Sequence, residues 1–293
     1  MDAQTPNGPT PPPYAGPPAW QSPRRRAVSV DQPVVIAQVS DLHCGSVYFR
    51  SALAEAMLEE VNALGPDIVV VTGDLTDMGL RDEYDRARGL LDRIECERML
   101  VVPGNHDARN VGEVHFEALF GARKSEIRLG GVHLLGIDSS EPDLDSGRIG
   151  RDGYHWIEER FAEPSEFKII ALHHHLVPVP GTGRERNIVA DAGDLLRVLT
   201  ENGVDLVLCG HKHVPNVWRF EDLFIVNAGT ATSIRVRGRE EPGYNVLEVF
   251  SDRVRVIRCH TGGAQEVVAD FRKAHQHECR WRPQAEFDGG GIS

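Results

Sequence analysis

Seven short apolar runs rich in β-branched residues recur along the chain, and segments with helical periodicity separate several of them. This alternation of buried strands and helices is the sequence form of an α/β domain. Between the first two runs, Leu53, Met57 and Val61 recur at helical spacing before Gly65, which favours a helix end. The predicted strands lie at 34–40, 67–73, 98–104, 132–138, 167–173, 204–210 and 223–229.

Weaker helical patterns and changes in composition define the rest of the organisation. Further helices are predicted at about 81–95, 113–120, 153–162 and 191–202. After Leu223 the helical patterns cease, and YNVLEVF and RVRVIRC are typical of two paired strands. We predict a disordered Pro-rich tail at 1–33, one domain at 34–260, and a poorly ordered or peripheral extension at 261–293.

Charge and cysteine usage limit the classes of partner. The formal net charge of −12 argues against nucleic acid as a partner, and the chain has no apolar run long enough to cross a membrane. Three arginines at 24–26 could begin a signal peptide, but Asp31 and Pro33 interrupt the apolar stretch that follows. Five scattered cysteines without a CxxC pair indicate a reducing compartment. We therefore expect a cytoplasmic protein.

Potential metal ligands follow five of the predicted strands. In open α/β sheets, ligands bind outside the carboxyl ends of the strands, so these side chains are expected to converge. Each cluster alone is also typical of a turn or a helix cap, but turns do not explain five such clusters in succession. The clusters are Asp41 and His43; Asp74 and Asp77; Asn105, His106 and Asp107; His173, His174 and His175; His211 and His213.

The chemistry of this set predicts a site for two metal ions. Carboxylate, imidazole and amide oxygen suit divalent or trivalent Mn, Fe, Zn or Co, whereas the scarcity of thiolates argues against a structural zinc site. Two cations roughly 3.5 Å apart need a bridging carboxylate and can activate water to attack a phosphoryl group. Asp74, which we expect to lie centrally in the strand order, is our candidate for the bridge.

The five clusters in order resemble the motifs of the calcineurin-like metallophosphoesterase superfamily. The matching motifs are DLH at 41–43, GD at 73–74, GNHD at 104–107, the histidine run at 173–175 and GHKH at 210–213. The resemblance covers residues 34 to about 250. It implies an α/β fold of four layers, α-β-β-α, in which two mixed sheets pack face to face.

The resemblance also implies a role for each residue. One metal falls to Asp41, His43, Asp74 and His213, and the other to Asp74, Asn105, His173 and His211. His106 and Asp107 take catalytic roles, with His106 at the substrate phosphate and oriented by Asp107. Strand alignment selects His173. His174 stays an alternative because relatives carry HHP or HHHP at this histidine run, and this chain has Leu176 where they have proline.

Details of the motifs favour one branch of the superfamily. GDLTDMGLRDEY and GNHDAR resemble the cyclic-nucleotide phosphodiesterase branch, whereas protein phosphatases carry GNHE and purple acid phosphatases a tyrosine where this chain has Asp77. Asn105, His106 and Arg235 are the predicted substrate-binding residues. If residues 235–239 lie on a strand, Arg235, Arg237 and Arg239 share one of its faces, which would be either a phosphate site or a solvated basic face.

These observations predict a dinuclear-metal-dependent hydrolase that cleaves phosphodiester bonds of small molecules, cyclic nucleotides among them, by attack of a metal-bound hydroxide. A phosphomonoesterase or a nuclease of the same superfamily is the alternative within this chemistry. A non-catalytic scaffold on the same fold is a further alternative, but the chain retains every expected ligand. The sequence leaves open the natural substrate, the metals bound and whether the chain forms a homodimer.

Overall fold

The computed structural model describes residues 32–183, 188–220, 222–237 and 240–273. Within them, two six-stranded sheets pack face to face, with helices on both outer surfaces. The helices are α1 Ser51–Leu64, α2 Arg81–Leu91, α3 Gly112–Phe120, α4 Gly150–Phe161 and α5 Ala192–Glu201. The strands are β1 Val34–Val39, β2 Ile68–Thr72, β3 Met99–Val102, β4 Lys124–Leu129, β5 Val132–Ile137, β6 Phe167–Ala171, β7 Leu206–Cys209, β8 Asn216–Phe220, β9 Leu223–Asn227, β10 Gly243–Val249, β11 Arg253–His260 and β12 Gln265–Arg272.

Both sheets are mixed. The first has the order β12-β11-β10-β1-β2-β3, in which β1, β2 and β3 are parallel and the other neighbours are antiparallel. The second has the order β4-β5-β6-β7-β9-β8, with β5, β6, β7 and β9 parallel and an antiparallel strand at each edge. The predicted α/β fold of two mixed sheets is therefore confirmed.

Three apolar layers follow from the alternation of side chains along each strand. On β1, Val35 and Ala37 pack against the helices, whereas Val34 and Ile36 face the second sheet. Successive residues of a strand point to opposite faces, so a continuously apolar strand supplies two layers at once. The outer face of the second sheet packs in the same way against α4 and α5, for example through Ile157. The order of layers is α-β-β-α.

The five predicted helices and the nine predicted strands are present, each within a few residues of its expected bounds. The sequence patterns missed β4, β8 and β12, and all three are edge strands. Edge strands carry charged residues that oppose pairing with other chains, so they lack the apolar run that marks a buried strand. Strand β4, with the sequence KSEIRL, is an example.

The first sheet extends past the domain boundary that we predicted at residue 260. Strand β12 pairs with β11 in antiparallel register and forms the sheet edge, so the segment from 261 begins as an ordered strand. Most of the predicted tail at 1–33 and the rest of the C-terminal extension lie outside the described residues. None of the helices described here is long and apolar enough to cross a membrane.

Candidate metal centre

The five polar clusters meet where loops from both sheets converge. The loop after β1 continues to pair with the loop after β2, through hydrogen bonds from Asp41 N to Gly73 O (3.0 Å) and from His43 N to Asp74 O (2.9 Å). In the second sheet, Gly210 N donates to His173 O at 2.9 Å and joins the loops that follow β6 and β7. These backbone bonds hold the loops as extensions of the sheets.

An unusual backbone conformation marks the centre. Five residues of the expected ligand set have positive φ values between 49° and 77°: Asp41, His43, Asp74, His211 and His213. Side chains with a Cβ adopt this left-handed region rarely, and such conformations cluster at functional sites where the surrounding structure holds them. Sequence motifs alone do not show this feature.

The first group of donor atoms lies around His213. Its Nε2 is 3.2 Å from Asp41 Oδ1 and 2.8 Å from His43 Nε2. Its Nδ1 donates to the backbone oxygen of Arg235, which leaves the Nε2 lone pair directed toward the other two side chains. Asp41, His43 and His213 are buried and close enough to hold one metal ion.

The second group lies around His173. Its Nε2 is 3.3 Å from Asp74 Oδ2, 3.1 Å from Asn105 Oδ1 and 3.2 Å from His211 Nδ1. The Nδ1 of His173 donates to Thr72 O at 2.7 Å, so Nε2 again presents its lone pair. Asp74, His173 and His211 form a second cluster that could hold a metal ion, and Asn105 adds its amide oxygen.

One carboxylate oxygen lies between the two groups. Asp74 Oδ2 is 3.3 Å from His173 Nε2 and 3.7 Å from His43 Nε2. The other oxygen, Oδ1, accepts the backbone N–H of His106 at 2.9 Å, which fixes the orientation of the carboxylate. This is the position that a ligand shared by two metal ions would occupy.

The electrostatics around Asp74 favour positive charge. Burial would raise the pKa of Asp74, but the His173 and His106 rings hold it well below its usual range. Burial would lower the pKa of His173, but the Asp74 carboxylate raises it to about 9. Carboxylate oxygens and imidazole lone pairs so close together repel one another unless protons or cations lie among them. The donor set therefore fits metal ions, which replace those protons.

His106 lies beside the centre, and its contacts correct one sequence-based expectation. Its Nδ1 is 2.6 Å from the backbone oxygen of Asp77, and its ring meets His43 edge to face at 4.7 Å. Asp107 does not orient this ring. The buried Asp107 carboxylate instead accepts the backbone N–H groups of Leu75, Thr76 and Gly104 and the Thr76 hydroxyl. Asp107 therefore ties together the loops that carry Asp74 and Asn105. It does not reach the His106 ring because consecutive side chains in this turn point in different directions.

The structure also separates the members of the histidine run. Of these three histidines, only His173 has a described contact between a ring nitrogen and Asp74, at 3.3 Å. His174 turns away: its Nδ1 is 2.9 Å from Ser139 Oγ and its Nε2 is 3.2 Å from the backbone oxygen of Asp145. His175 is buried and stacks against His211. The geometry therefore favours His173 over His174 as the ligand.

A cleft of about 370 Å³ opens over the centre. His43, Asp74 and Asn105 form part of its lining. Arg235 and Arg237 also line it, but from a loop, so they do not share the face of a strand; Arg239 lies outside the described residues. Besides Asp74, the Asp, Arg and Lys side chains around the cleft are Arg109, Asp145, Lys212, Arg235 and Arg237.

Comparison with known sequences agrees with the geometry. The sequence model of the calcineurin-like phosphoesterases matches residues 34–215, more than half of the chain. The chain is 29% identical over 277 residues to a cAMP/cGMP dual specificity phosphodiesterase of Mycobacterium tuberculosis, covering 83% of this chain and 85% of that protein. It is 28% identical over 199 residues to a glycerophosphodiester phosphodiesterase of Enterobacter lignolyticus, covering 61% of this chain and 71% of that protein.

Solved structures share the fold at low sequence identity. A purple acid phosphatase from yellow lupin seeds superposes with a TM-score of 0.66 and 15% identity, covering 88% of this chain and 55% of that chain. GAP50, the anchor in the inner membrane complex of Plasmodium, gives a TM-score of 0.61 and 12% identity, covering 83% of this chain and 89% of that chain. These matches support the fold alone.

Proposed function

The chain belongs to the calcineurin-like phosphoesterase family, and from this premise we propose that it hydrolyses phosphodiester bonds of small molecules at a centre of two metal ions. Cyclic nucleotides are the first substrates to consider, because relatives named as cyclic-nucleotide phosphodiesterases align over most of the chain. The enzyme is a metal-dependent phosphoric ester hydrolase.

The strongest support for two metal ions is the central position of Asp74. Its Oδ2 lies within 3.7 Å of a ring nitrogen from each of the two groups, so a single carboxylate can serve both ions. One ion would be held by Asp41, His43, Asp74 and His213, and the other by Asp74, Asn105, His173 and His211. Manganese, iron, zinc and cobalt all suit these nitrogen and oxygen ligands.

Bound metal ions would supply Lewis acidity and an activated water as the nucleophile. The protein's own groups then position and protonate the substrate. His106 donates Nδ1–H to Asp77 O, and in its imidazolium form it can donate Nε2–H to the leaving oxygen. The Asp77 carboxylate, whose Oδ1 is 3.9 Å from Nδ1, stabilises that positive charge. Asn105 and the exposed Arg235 both line the cleft, and we propose that they contact the phosphate.

A monoesterase and a nuclease remain the alternatives, and they predict different substrate profiles. Metal-loaded protein should be assayed against 3′,5′-cyclic AMP, a glycerophosphodiester, bis(p-nitrophenyl) phosphate and p-nitrophenyl phosphate. We expect faster turnover of the diesters than of the monoester. A strong preference for the monoester with every metal would support a phosphatase, and activity confined to DNA that falls steeply with salt would support a nuclease.

A further inference from the structure

The loop between β5 and α4, residues 139–148, lies against the loop that carries Asn105 and His106. We propose that Asp145 in this loop is a positioning residue, which orients the Asn105 amide toward the metal centre and holds Arg109 at the cleft wall. This inference rests on the proposed function, because it assigns Asn105 as a ligand and the cleft as the substrate site.

Several hydrogen bonds hold the 139–148 loop in place. Arg148 N donates to Ser139 O at 2.8 Å and closes the base of the loop. Asp143 joins the neighbouring loop twice: its N–H donates to Ala108 O at 3.2 Å, and its Oδ1 accepts Asn110 N–H at 3.1 Å. Asp145 is thus presented by a segment whose backbone is tied to the ligand loop, although its own side chain is largely exposed.

Asp145 contacts the end of the Asn105 amide that faces away from the His173 and His211 rings. Asn105 Nδ2 donates to Asp145 Oδ1 at 3.4 Å, while Asn105 Oδ1 faces the ring nitrogens of His173 and His211. A metal ion binds the oxygen of an amide, so the orientation of this side chain decides whether Asn105 can be a ligand. An ionised carboxylate only accepts hydrogen bonds, and it therefore favours the orientation with Nδ2 toward Asp145.

The same carboxylate oxygen holds Arg109. Arg109 Nη2 is 2.8 Å from Asp145 Oδ1, and Nη1 lies 3.4 Å from Asp77 O, the oxygen that also accepts from His106. Arg109 lines the cleft, so this ion pair places a guanidinium beside the proposed acid and facing the space for substrate.

The backbone of Asp145 is also anchored, from the side of the histidine run. His174 donates Nε2–H to Asp145 O at 3.2 Å, and Ser139 Oγ lies 2.9 Å from His174 Nδ1. The loop passes close to this ring: a Cβ on Gly147 would lie 2.5 Å from it. His174 therefore supports the loop that orients Asn105, while its neighbour His173 points into the centre.

The first test is metal binding by chelator-treated protein, titrated with Co²⁺ by calorimetry and visible absorption. We expect Asp145→Ala to weaken one of two binding steps roughly 10 to 100-fold, the usual effect of removing a group that orients a ligand, and to leave the other step unchanged. Asp145→Asn keeps an oxygen that can accept from Asn105 Nδ2, so its binding steps should change much less. Both steps unchanged in Asp145→Ala would overturn the proposal.

Asp143→Asn is the matched control. It removes one charge from the same loop, keeps an oxygen for Asn110 N–H, and suits the left-handed backbone at this position (φ 58°). We expect wild-type Co²⁺ binding and kinetics from it. An equal rise in KM in Asp143→Asn and Asp145→Asn would show a general effect of loop charge, and would overturn a specific role for Asp145.

The second test concerns Arg109 and uses steady-state kinetics with bis(p-nitrophenyl) phosphate. Asp145→Asn should raise KM while metal content stays at the wild-type level, and adding Arg109→Ala should raise it little further, because both changes remove the same interaction. Additive effects would contradict the role of Asp145 in holding Arg109. Failure of the proposed function is a separate result: wild-type protein would itself bind no Co²⁺ or hydrolyse no diester.

Discussion

A Gly104→Ala substitution should disable the metal centre through a steric clash with one residue, Asp74. Gly104 precedes Asn105 and lies outside the left-handed region, so alanine suits its backbone. A Cβ at this position, however, would lie 2.2 Å from Oδ1 and 2.5 Å from the backbone N of Asp74. Non-bonded heavy atoms need roughly 3.5 Å, so the two loops must separate by about 1 Å.

That movement displaces Asp74, whose carboxylate lies between the two groups of donor atoms. Asp74 is buried and its Oδ1 accepts His106 N–H, so its carboxylate has little room to adjust. A misplacement of about 1 Å can cost 10²-fold in rate, and overpacking of this kind typically destabilises the fold by about 1–3 kcal/mol. We expect kcat to fall about 100-fold, with reduced metal content and a lower Tm.

The helix residue Gly89 provides the matched control. The same substitution there meets nothing within 4 Å, and Gly89 is exposed inside α2. Gly89→Ala should leave metal content and kcat unchanged and should stabilise the protein by about 1 kcal/mol, the difference in helix propensity. Elemental analysis, steady-state kinetics and thermal unfolding measure these effects. Wild-type metal content and kcat in Gly104→Ala would refute the prediction that a Cβ at this position displaces Asp74.

Three further predictions test individual residues. Asp74→Asn keeps the shape of the bridge but removes its charge, so it should lose most activity together with at least one metal ion; full occupancy by elemental analysis in an active variant would contradict this. His106→Ala should keep both metals and lower kcat by about 10² to 10⁴-fold, the range for a positioned acid; loss of a metal would instead make His106 a ligand. Because the pKa of His173 is raised to about 9 in the metal-free fold, bound metal must displace its proton below that pH. Apparent Mn²⁺ affinity should therefore rise between about pH 6.5 and 9 in calorimetric titrations, while the stability of chelated protein falls over the same range; two flat profiles would exclude this linkage.

Some features of the site needed tertiary information because their signal is not local. Asp107 stands next to His106 in the sequence, yet its carboxylate bonds to the backbone of Leu75 and Thr76, about 30 residues earlier. Asp145 belongs to no motif and contacts Asn105 across 40 positions. Nothing in the sequence around either residue indicates these partners.

The sequence by itself determined the buried strands, the helices and the chemical type of the site. Those features depend on apolar periodicity and on residue types placed after strands, and both are properties of neighbouring residues. Only the tertiary structure showed the edge strands β4, β8 and β12, the different directions in which His173 and His174 point, and the left-handed backbone at candidate ligands such as Asp74. The physical reason is that each of these depends on which segments pack together, and a donor atom reaches the centre only when loops from two sheets meet.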